Sequence, residues 1–190
     1  MLHSPSPATA QIWYLDNDAT VSKNHKRPNI AQPPTFIQAE ELTQLSGAEL
    51  MKFDADIINH CSKFADLRKQ RGFIFEDEIE LNKDNMKKFE NDLAMFFTEH
   101  IHADDEVRMV LDGSGYFDVR DKDDKWLRIE ANKDDLVIIP AGLYHRFTLD
   151  TNNYIKCKRL FSGSPVWTAF FRPEADAHPA RKQFLERRNS

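Results

Sequence analysis

The chain has 190 residues, of which 41% are hydrophobic and 30% are charged, and its formal net charge is −5. This length and composition favour one domain with a packed core. The mild excess of acidic residues argues against nucleic acid as the main partner, because phosphate binding needs a concentrated basic surface. The sequence contains no run of about 18 apolar residues, so we expect no membrane insertion.

The N-terminal ten residues are small, polar and proline-containing, and we expect residues 1–10 to be disordered. They lack the basic region and apolar run of a secretory signal. The two cysteines are Cys61 and Cys157, and in an intracellular protein free thiols are a better interpretation than a disulfide. We therefore expect the protein in the cytoplasm, with the nucleus as a second compartment to consider.

The first half of the chain predicts helices with short strands around them. A strand is predicted over residues 12–15, followed by a long polar connection over 16–34. Thr35 and Gln38 have the spacing of a capping box, which predicts a short helix that starts at Thr35 and stops at Gly47.

Ser46 and Glu49 have the same capping-box spacing, so a helix that begins at Ser46 is the alternative. We favour the stop at the glycine, followed by a strand over residues 50–53. The remaining elements of this half are a helix, a strand or mixed segment, and a second helix, predicted over residues 57–70, 73–81 and 85–96.

From residue 97 onward the chain reads as a series of short strands. The predicted strands cover residues 97–102, 107–111, 116–120, 126–130, 136–139, 145–149 and 154–161. Turn-forming residues separate them, including Asp112-Gly113-Ser114-Gly115, which predicts a hairpin turn. Many short strands at regular spacing imply a sandwich or barrel. A helix with a basic C-terminal end is predicted over residues 175–188.

Four potential metal ligands lie among these strands: His100, His102, Glu106 and His145. His100 and His102 are two residues apart, so in a strand their side chains share one face. A turn over residues 103–105 would bring Glu106 back to this pair, and His145 would come from a distant strand. Imidazole suits iron, nickel, copper and zinc, and a carboxylate adds an anionic ligand. The sequence therefore predicts a site for a divalent transition metal.

Two stretches of the second half resemble the motifs of the cupin superfamily. The first runs from His100 through Glu106 to Gly113, and the second runs from Pro140 to His145. The departures from the motifs, at two usual glycine positions, lie away from the proposed ligands. The resemblance implies a mainly β fold, the double-stranded β-helix or jelly-roll barrel, with peripheral helices in the N-terminal half and a short C-terminal helix.

Within the cupins, the chain is most similar to the acireductone dioxygenases of methionine salvage. The resemblance extends from Ile12 to about Arg172 and is densest over residues 99–108, 111–121, 140–147 and 159–168. Such long runs are much more specific than a bare His-x-His pair. We expect a single cupin domain over residues 11–190, with a helix-containing part at about 35–96 and a barrel core at about 97–172.

The family implies a metal-dependent dioxygenase that cleaves the acireductone 1,2-dihydroxy-3-keto-5-methylthiopentene with O2. With Fe2+ the implied products are 4-methylthio-2-oxobutanoate and formate, and with Ni2+ they are methylthiopropionate, formate and carbon monoxide. One ion per chain is expected, iron or alternatively nickel, because both accept imidazole and carboxylate. The expected partners are the small-molecule substrate and O2, without nucleic acid or a membrane, and the chain is expected to be a monomer.

The resemblance also assigns residues to the substrate pocket. Phe96, Arg159 and Trp167 match positions that line it, although packing or an ion pair is the alternative for each. Arg108 lies on the strand face of the proposed carboxylate ligand, where it would stabilise an anionic substrate unless it forms a surface ion pair. Asp105 is either a solvated turn residue or an aid to proton transfer.

Other functions remain open at this point. A different cupin dioxygenase or an isomerase could use the same four ligands. A metal-stabilised cupin could instead be a binding module, with its basic segment 181–188 against an acidic partner. A 2-oxoglutarate oxygenase would need only three protein ligands, and the close spacing of Glu106 to the His-x-His pair favours the four-ligand site.

Overall fold

The structure is a computed structural model that describes residues 11–16, 24–166 and 168–188. Within these ranges the strands are β1 Ile12–Tyr14, β2 Glu49–Lys52, β3 Phe75–Leu81, β4 His100–Ile101, β5 Glu106–Arg120, β6 Trp126–Asn132, β7 Asp135–Ile139, β8 His145–Leu149, β9 Ile155–Phe161 and β10 Phe170–Phe171. The helices are α1 Ala39–Ser46, α2 Ser62–Arg71, α3 Phe89–Phe96 and α4 Pro179–Arg188, with short 3-10 helices at Ala55–His60 and Glu174–Ala177. The disorder predicted for residues 1–10 lies outside the described residues.

The longest strand, β5, belongs to both sheets of the fold. Its first part, up to Gly113, pairs with β7 and β9, and its second part, from Ser114, pairs with β6 and β8. The first sheet has the order β2-β7-β5-β9-β3, and the second has the order β1-β6-β5-β8-β4-β10. All of these pairs are antiparallel. The predicted mainly β architecture is thereby confirmed.

The main hydrophobic core lies between the two sheets. It is formed by inward side chains of both sheets and by one side of each of α1, α3 and α4. Its members include Val137, Cys157, Phe117, Phe147, Leu42, Leu93 and Phe184. A second, smaller cluster lies on the other face of the first sheet, where Ile58 and Phe64 cover Val107 and Met109. Full burial of a large apolar side chain contributes about 1.5–3 kcal/mol, so these two clusters are the main source of stability.

The predicted hairpin turn at residues 112–115 is wrong, because these residues lie inside β5. The register of β5 against β9 shifts between Val110 and Asp112, which marks a bulge. Gly113 has a φ of 71°, and a Cβ at this position would lie 2.3 Å from the carbonyl oxygen of Tyr154. Glycine is therefore required where the strand bends from one sheet into the other.

The first helix begins later than its sequence pattern predicts. The carbonyl of Thr35 accepts a hydrogen bond from the backbone N–H of Tyr14 at 3.2 Å, so this residue extends the strand region instead. The capping box lies one turn further on, where the backbone N–H of Gln38 donates to the Glu41 carboxylate at 2.8 Å. Gly47 ends the helix with a φ of 86°, as predicted, and the alternative helix from Ser46 is not formed.

The helix predicted over residues 57–70 is divided at Cys61, whose backbone is extended with a ψ of 110°. In the 3-10 helix before the break, Ile58 is buried and Ile57 is exposed. In α2 the buried residue is Phe64. The third helix, α3, also begins later than predicted, and the predicted C-terminal helix is α4 with a 3-10 helix before it.

A buried ion cluster fixes the outer face of the second sheet. Asp118 on β5 accepts hydrogen bonds from Arg128 on β6 at 2.6 and 2.9 Å and from Arg146 on β8 at 2.8 Å. Arg128 also donates to the backbone carbonyls of His25 and Arg27. A buried charge is costly in free energy unless it has hydrogen-bond partners. The hydrogen bonds that Arg128 donates to the two backbone carbonyls therefore hold residues 25–27 against the sheet.

Within the described ranges, no helix combines the length and the hydropathy that crossing a membrane would require.

We expect Gly113→Ala to lower the free energy of unfolding by about 2–5 kcal/mol, from left-handed backbone strain of about 1–2 kcal/mol and crowding of about 1–3 kcal/mol. The measurement is urea denaturation of the metal-free protein. Gly163→Ala is the matched control, because a Cβ at that position meets no described atom within 4 Å. Equal unfolding midpoints for the two variants would contradict the role of the bend.

Candidate metal centre

Two neighbouring strands of the second sheet bring the three predicted histidine ligands together. β4 pairs with β8 so that His100 lies directly opposite His145, and His102 follows on the same face as His100. One ring nitrogen from each imidazole lies within 4.8 Å of the other two. His100 and His145 are buried, with 6% and 2% of their surface exposed. The strand pairing therefore assembles the cluster.

Glu106 reaches the histidines from the first sheet. The turn over residues 103–105 leads from β4 into β5, but β5 begins by pairing with β7 and not with β4. The predicted turn therefore carries the chain from β4 in the second sheet to the start of β5 in the first sheet. The Oε2 atom of Glu106 lies 3.1 Å from Nε2 of His102 and 3.6 Å from Nε2 of His145. All four predicted ligands therefore meet, with donors contributed by both sheets.

A backbone carbonyl orients each imidazole through its Nδ1 atom. The pairs are His100 with Thr98 at 2.6 Å, His145 with Leu143 at 2.8 Å and His102 with Thr168 at 2.8 Å. A carbonyl oxygen can only accept a hydrogen bond, so each Nδ1 carries a proton, and Nε2 of the neutral imidazole presents a lone pair. Nε2 of His102 donates to Glu106 only when that ring takes up a second proton. Histidines that bind metals are held in this way.

The Nε2 atom of His145 provides a test of whether a metal fits. It is buried and has no hydrogen-bond partner among the described residues, and Glu106 is too distant at 3.6 Å. A buried polar nitrogen without a partner is costly, but the same lone pair is the donor that a divalent transition metal requires. The donor set therefore fits such an ion.

The charge states of His100 and Glu106 also favour metal binding. Burial and, to a smaller extent, the neighbouring His145 lower the pKa of His100 to about 3, so His100 stays neutral. Burial also lowers the pKa of His102, but its hydrogen bond to Glu106 outweighs this effect, and its pKa is raised from 6.5. Burial raises the pKa of Glu106, but the charge of Arg108 and the hydrogen bond from His102 keep it well below 4.5. Glu106 is therefore anionic, as a carboxylate ligand must be.

The four residues line a cavity of about 250 Å³ between the sheets. Most of the remaining wall is apolar. It includes Ile79, Leu81, Phe96, Phe117, Phe147, Ile155 and Cys157. Burial raises the pKa of the Cys157 thiol to about 12, so this side chain is a neutral part of the wall. The cavity thus combines a polar cluster of histidines with a larger apolar region.

The two arginines predicted for the site face each other across neighbouring strands and line the cavity. Arg108 lies opposite Arg159 in the pairing of β5 with β9. The Nη2 atom of Arg108 lies 3.4 Å from Oε2 of Glu106. Arg159 forms a two-bond ion pair with Asp77 at 2.7 and 2.6 Å. Arg108 therefore has both a cavity position and an ion pair, and the same holds for Arg159.

The other predicted residues differ in their positions. Phe96 lines the cavity at the end of α3. Asp105 is exposed at the edge of the cavity, where its Oδ1 accepts a hydrogen bond from the backbone N–H of Ala141 at 2.9 Å. Trp167 lies outside the described residues.

Some contributors to the site were not identified from the sequence. The side chains of Ile79 and Leu81 on β3 form part of the apolar wall. These two residues alternate with acidic residues in the sequence, but this alternation does not indicate which face of the strand lines the cavity. The carbonyl of Thr168 orients His102, and no residue type marks a backbone carbonyl.

The family model for the ARD/ARD′ family matches residues 11–169. The chain is 46% identical over 176 residues to acireductone dioxygenase of Ixodes scapularis, covering 93% of this chain and 94% of that one. It is 45% identical over 176 residues to that of Drosophila melanogaster, covering 93% and 92%. A solved structure of acireductone dioxygenase from Bacillus anthracis with cadmium ion in the active center has a TM-score of 0.65 and 26% identity, covering 75% of this chain and 95% of that one. This likeness supports the predicted cupin fold.

We expect His100→Ala or His145→Ala to weaken metal binding by more than about 100-fold. The loss of a direct ligand should cost more than the loss of a residue that only orients a ligand, which typically costs about 10- to 100-fold. The measurement is elemental analysis of the purified protein together with titration of the metal-free form. His60→Ala, at an exposed histidine, is the matched control and should keep its metal. Full metal occupancy in either ligand variant would refute the assignment.

Proposed function

The chain belongs to the ARD/ARD′ family of acireductone dioxygenases, and we propose that the cluster of His100, His102, Glu106 and His145 is its active site. The protein is a metal-dependent dioxygenase that cleaves 1,2-dihydroxy-3-keto-5-methylthiopentene with O2 in methionine salvage. The observation that carries the site is the convergence of three Nε2 atoms and one carboxylate inside a single cavity.

We propose that these four residues hold one Fe2+ ion per chain. Imidazoles with a carboxylate suit Fe2+ in oxygenases, although Ni2+ accepts the same donors. When bound, the ion supplies Lewis acidity and a template that brings the substrate enediol and O2 together. All four ligands come from one chain, which supports a monomer as the active unit.

Arg108 supplies a fixed positive charge beside the ligands. Its side chain is 20% exposed, and its Nη2 atom lies 3.4 Å from Glu106. Loss of a proton from the substrate enediol gives an anion, and a fixed guanidinium at a partly dry cavity wall stabilises that anion better than mobile water does. We therefore assign the stabilisation of substrate charge to Arg108.

Asp105 and Arg159 are proposed to act at the edge of the same cavity. The backbone N–H of Ala141 binds Oδ1 of Asp105 and fixes the carboxylate. We assign to the Oδ2 atom of this carboxylate the acceptance of the proton that the enediol loses. The two-bond ion pair with Asp77 holds the Arg159 guanidinium in place on the wall, where it contacts bound substrate.

The apolar wall is proposed to bind the methylthio tail of the substrate. Phe96 and Phe147 line the cavity with Ile155, close to the histidines. Transfer of each methylene group from water to such a wall contributes about 0.8 kcal/mol, so the wall both holds the tail and fixes which end of the substrate faces the ligands. It also excludes water from the reacting end.

We expect Arg108→Ala to keep its metal content and to lower turnover by about 100-fold or more, as for the loss of one fixed charge-stabilising group. Arg108→Lys should lose less, because it keeps the charge. Steady-state kinetics and elemental analysis on the same samples provide the measurement. Arg71→Ala, which breaks an ion pair with Glu49 outside the cavity, is the control. Unchanged kinetics in Arg108→Ala would reduce its role to an ion pair.

We expect the protein purified without added metal to contain iron, and its products to be 4-methylthio-2-oxobutanoate and formate. Reconstitution of the metal-free protein with Ni2+ should give methylthiopropionate, formate and carbon monoxide instead. Elemental analysis coupled to product identification makes the comparison, with the metal-free protein as the inactive control. Purified protein that contains nickel and releases carbon monoxide would show that the proposal of iron is wrong.

A further inference from the structure

A group of charged side chains lies behind the histidines, on the outer face of the second sheet. Glu99 accepts two hydrogen bonds from Arg120, at 2.9 and 3.0 Å, and one from Arg172, at 2.9 Å. Asp124 accepts a further hydrogen bond from Arg172 at 2.9 Å. We call Glu99, Arg120, Asp124 and Arg172 the outer ionic cluster. These four residues are neither proposed metal ligands nor part of the cavity wall.

Glu99 directly precedes His100, and adjacent residues of an extended chain point to opposite faces. The imidazole of His100 faces the cavity, so the carboxylate of Glu99 faces outward. β4 itself is short: it pairs with β8 through the contact of His100 with His145, and with the equally short β10 through its two residues. A strand of two residues has few ladder hydrogen bonds to hold it. Side-chain contacts next to it therefore decide how firmly the imidazole is placed.

Through Arg120, the outer ionic cluster connects β4 to the strand beside His145. Arg120 is the last residue of β5, and the residue before it, Val119, lies opposite His145 on β8. The two hydrogen bonds from Arg120 to Glu99 form a bidentate pair, the geometry in which an arginine fixes a carboxylate most strictly. The pair therefore sets the distance between the His100 segment and the strand that supports His145.

Through Arg172, the cluster also connects β4 to the segment that orients His102. Arg172 follows β10, and its backbone N–H donates to the carbonyl of Glu99 at 3.3 Å. The same segment supplies the Thr168 carbonyl that holds Nδ1 of His102. The side chain and the backbone of Glu99 thus both bind Arg172. Release of Glu99 would loosen this segment together with β4.

We propose that Glu99 is a positioning residue for the metal centre, which binds Arg120 and Arg172 and thereby fixes His100 and His102 relative to His145. This proposal rests on the metal site proposed above. The side chains of Glu99 and Arg120 are only 20% and 18% exposed, so their pairing is less screened than that of a surface pair. Two arginines share this carboxylate, and its neutralisation would leave two cations next to each other.

The test compares Ni2+ affinity in the metal-free protein and its variants, measured by competition with a chromophoric chelator. Glu99→Gln keeps the shape of the side chain and removes its charge. We expect its Kd for Ni2+ to rise about 10- to 100-fold, the range typical of partners that orient metal ligands. The visible absorption of the Co2+-loaded form should change as well, because it reports ligand geometry. Glu99→Asp keeps the charge and should recover part of the affinity.

Glu49→Gln is the matched control, because it breaks an ion pair with Arg71 of similar length, 2.8 Å, away from the histidines. It should leave both the Kd and the Co2+ spectrum unchanged. If Glu99→Gln does not fold, Arg172→Gln replaces it, since Arg120 would still neutralise Glu99, and a smaller rise in Kd is expected. A Kd equal to that of the parent in the folded variant would overturn the proposal.

The parent protein, His145→Ala and Glu99→Gln together distinguish a failure of this proposal from a failure of the metal site on which it depends. A parent protein that does not bind Ni2+, or a His145→Ala variant that binds it normally, would refute the metal site. A parent that binds, a His145→Ala variant that does not, and a Glu99→Gln variant identical to the parent would refute only the positioning role of Glu99.

Discussion

The antiparallel pairing of β4 with β8 is the constraint on which the rest of the site depends. It sets His100 opposite His145 across one rung of the ladder, and it does so with backbone geometry that side chains alone could not impose. The pairing explains why two residues 45 positions apart in the sequence share one cluster of proposed ligands. It also explains why the elements around β4, namely β10 and the end of β5, matter to chemistry that they do not touch.

The second requirement is that one strand serves both sheets. The first residue of β5 is Glu106, which brings the carboxylate to the histidines from the opposite sheet, while the second half of β5 supports β8. The bend at Gly113 joins the part of β5 that carries Glu106 to the part that pairs with β8. Core packing between the sheets, the cavity that it encloses and the position of the anionic ligand are consequently parts of one arrangement. A change in the bend would move the carboxylate relative to the imidazoles.

The meeting of the proposed ligands could be predicted from the sequence, because residue type and short spacing indicate it for His100, His102 and Glu106. The mainly β architecture followed from strand-like runs separated by turn signals. Other features depend on tertiary contacts that no local pattern records. The sequence of residues 112–115 is typical of a turn, but these residues form a bend inside a strand. Glycine adopts a positive φ in turns and in strand bends alike, so its presence does not distinguish the two. Helix α1 begins later than its sequence pattern predicts, because the carbonyl of Thr35 accepts a hydrogen bond from Tyr14 on β1.

The partners of the three Nδ1 atoms are main-chain carbonyls, at Thr98, Leu143 and Thr168. Every amino acid carries this oxygen, so substitution at these three positions cannot remove it; only a change in the path of the backbone can. The path of the backbone therefore sets the tautomer of each imidazole, whichever residues occupy these three positions. Related proteins are free to drift at these positions while they keep the same coordination chemistry, and their divergence there is no sign of an altered metal preference.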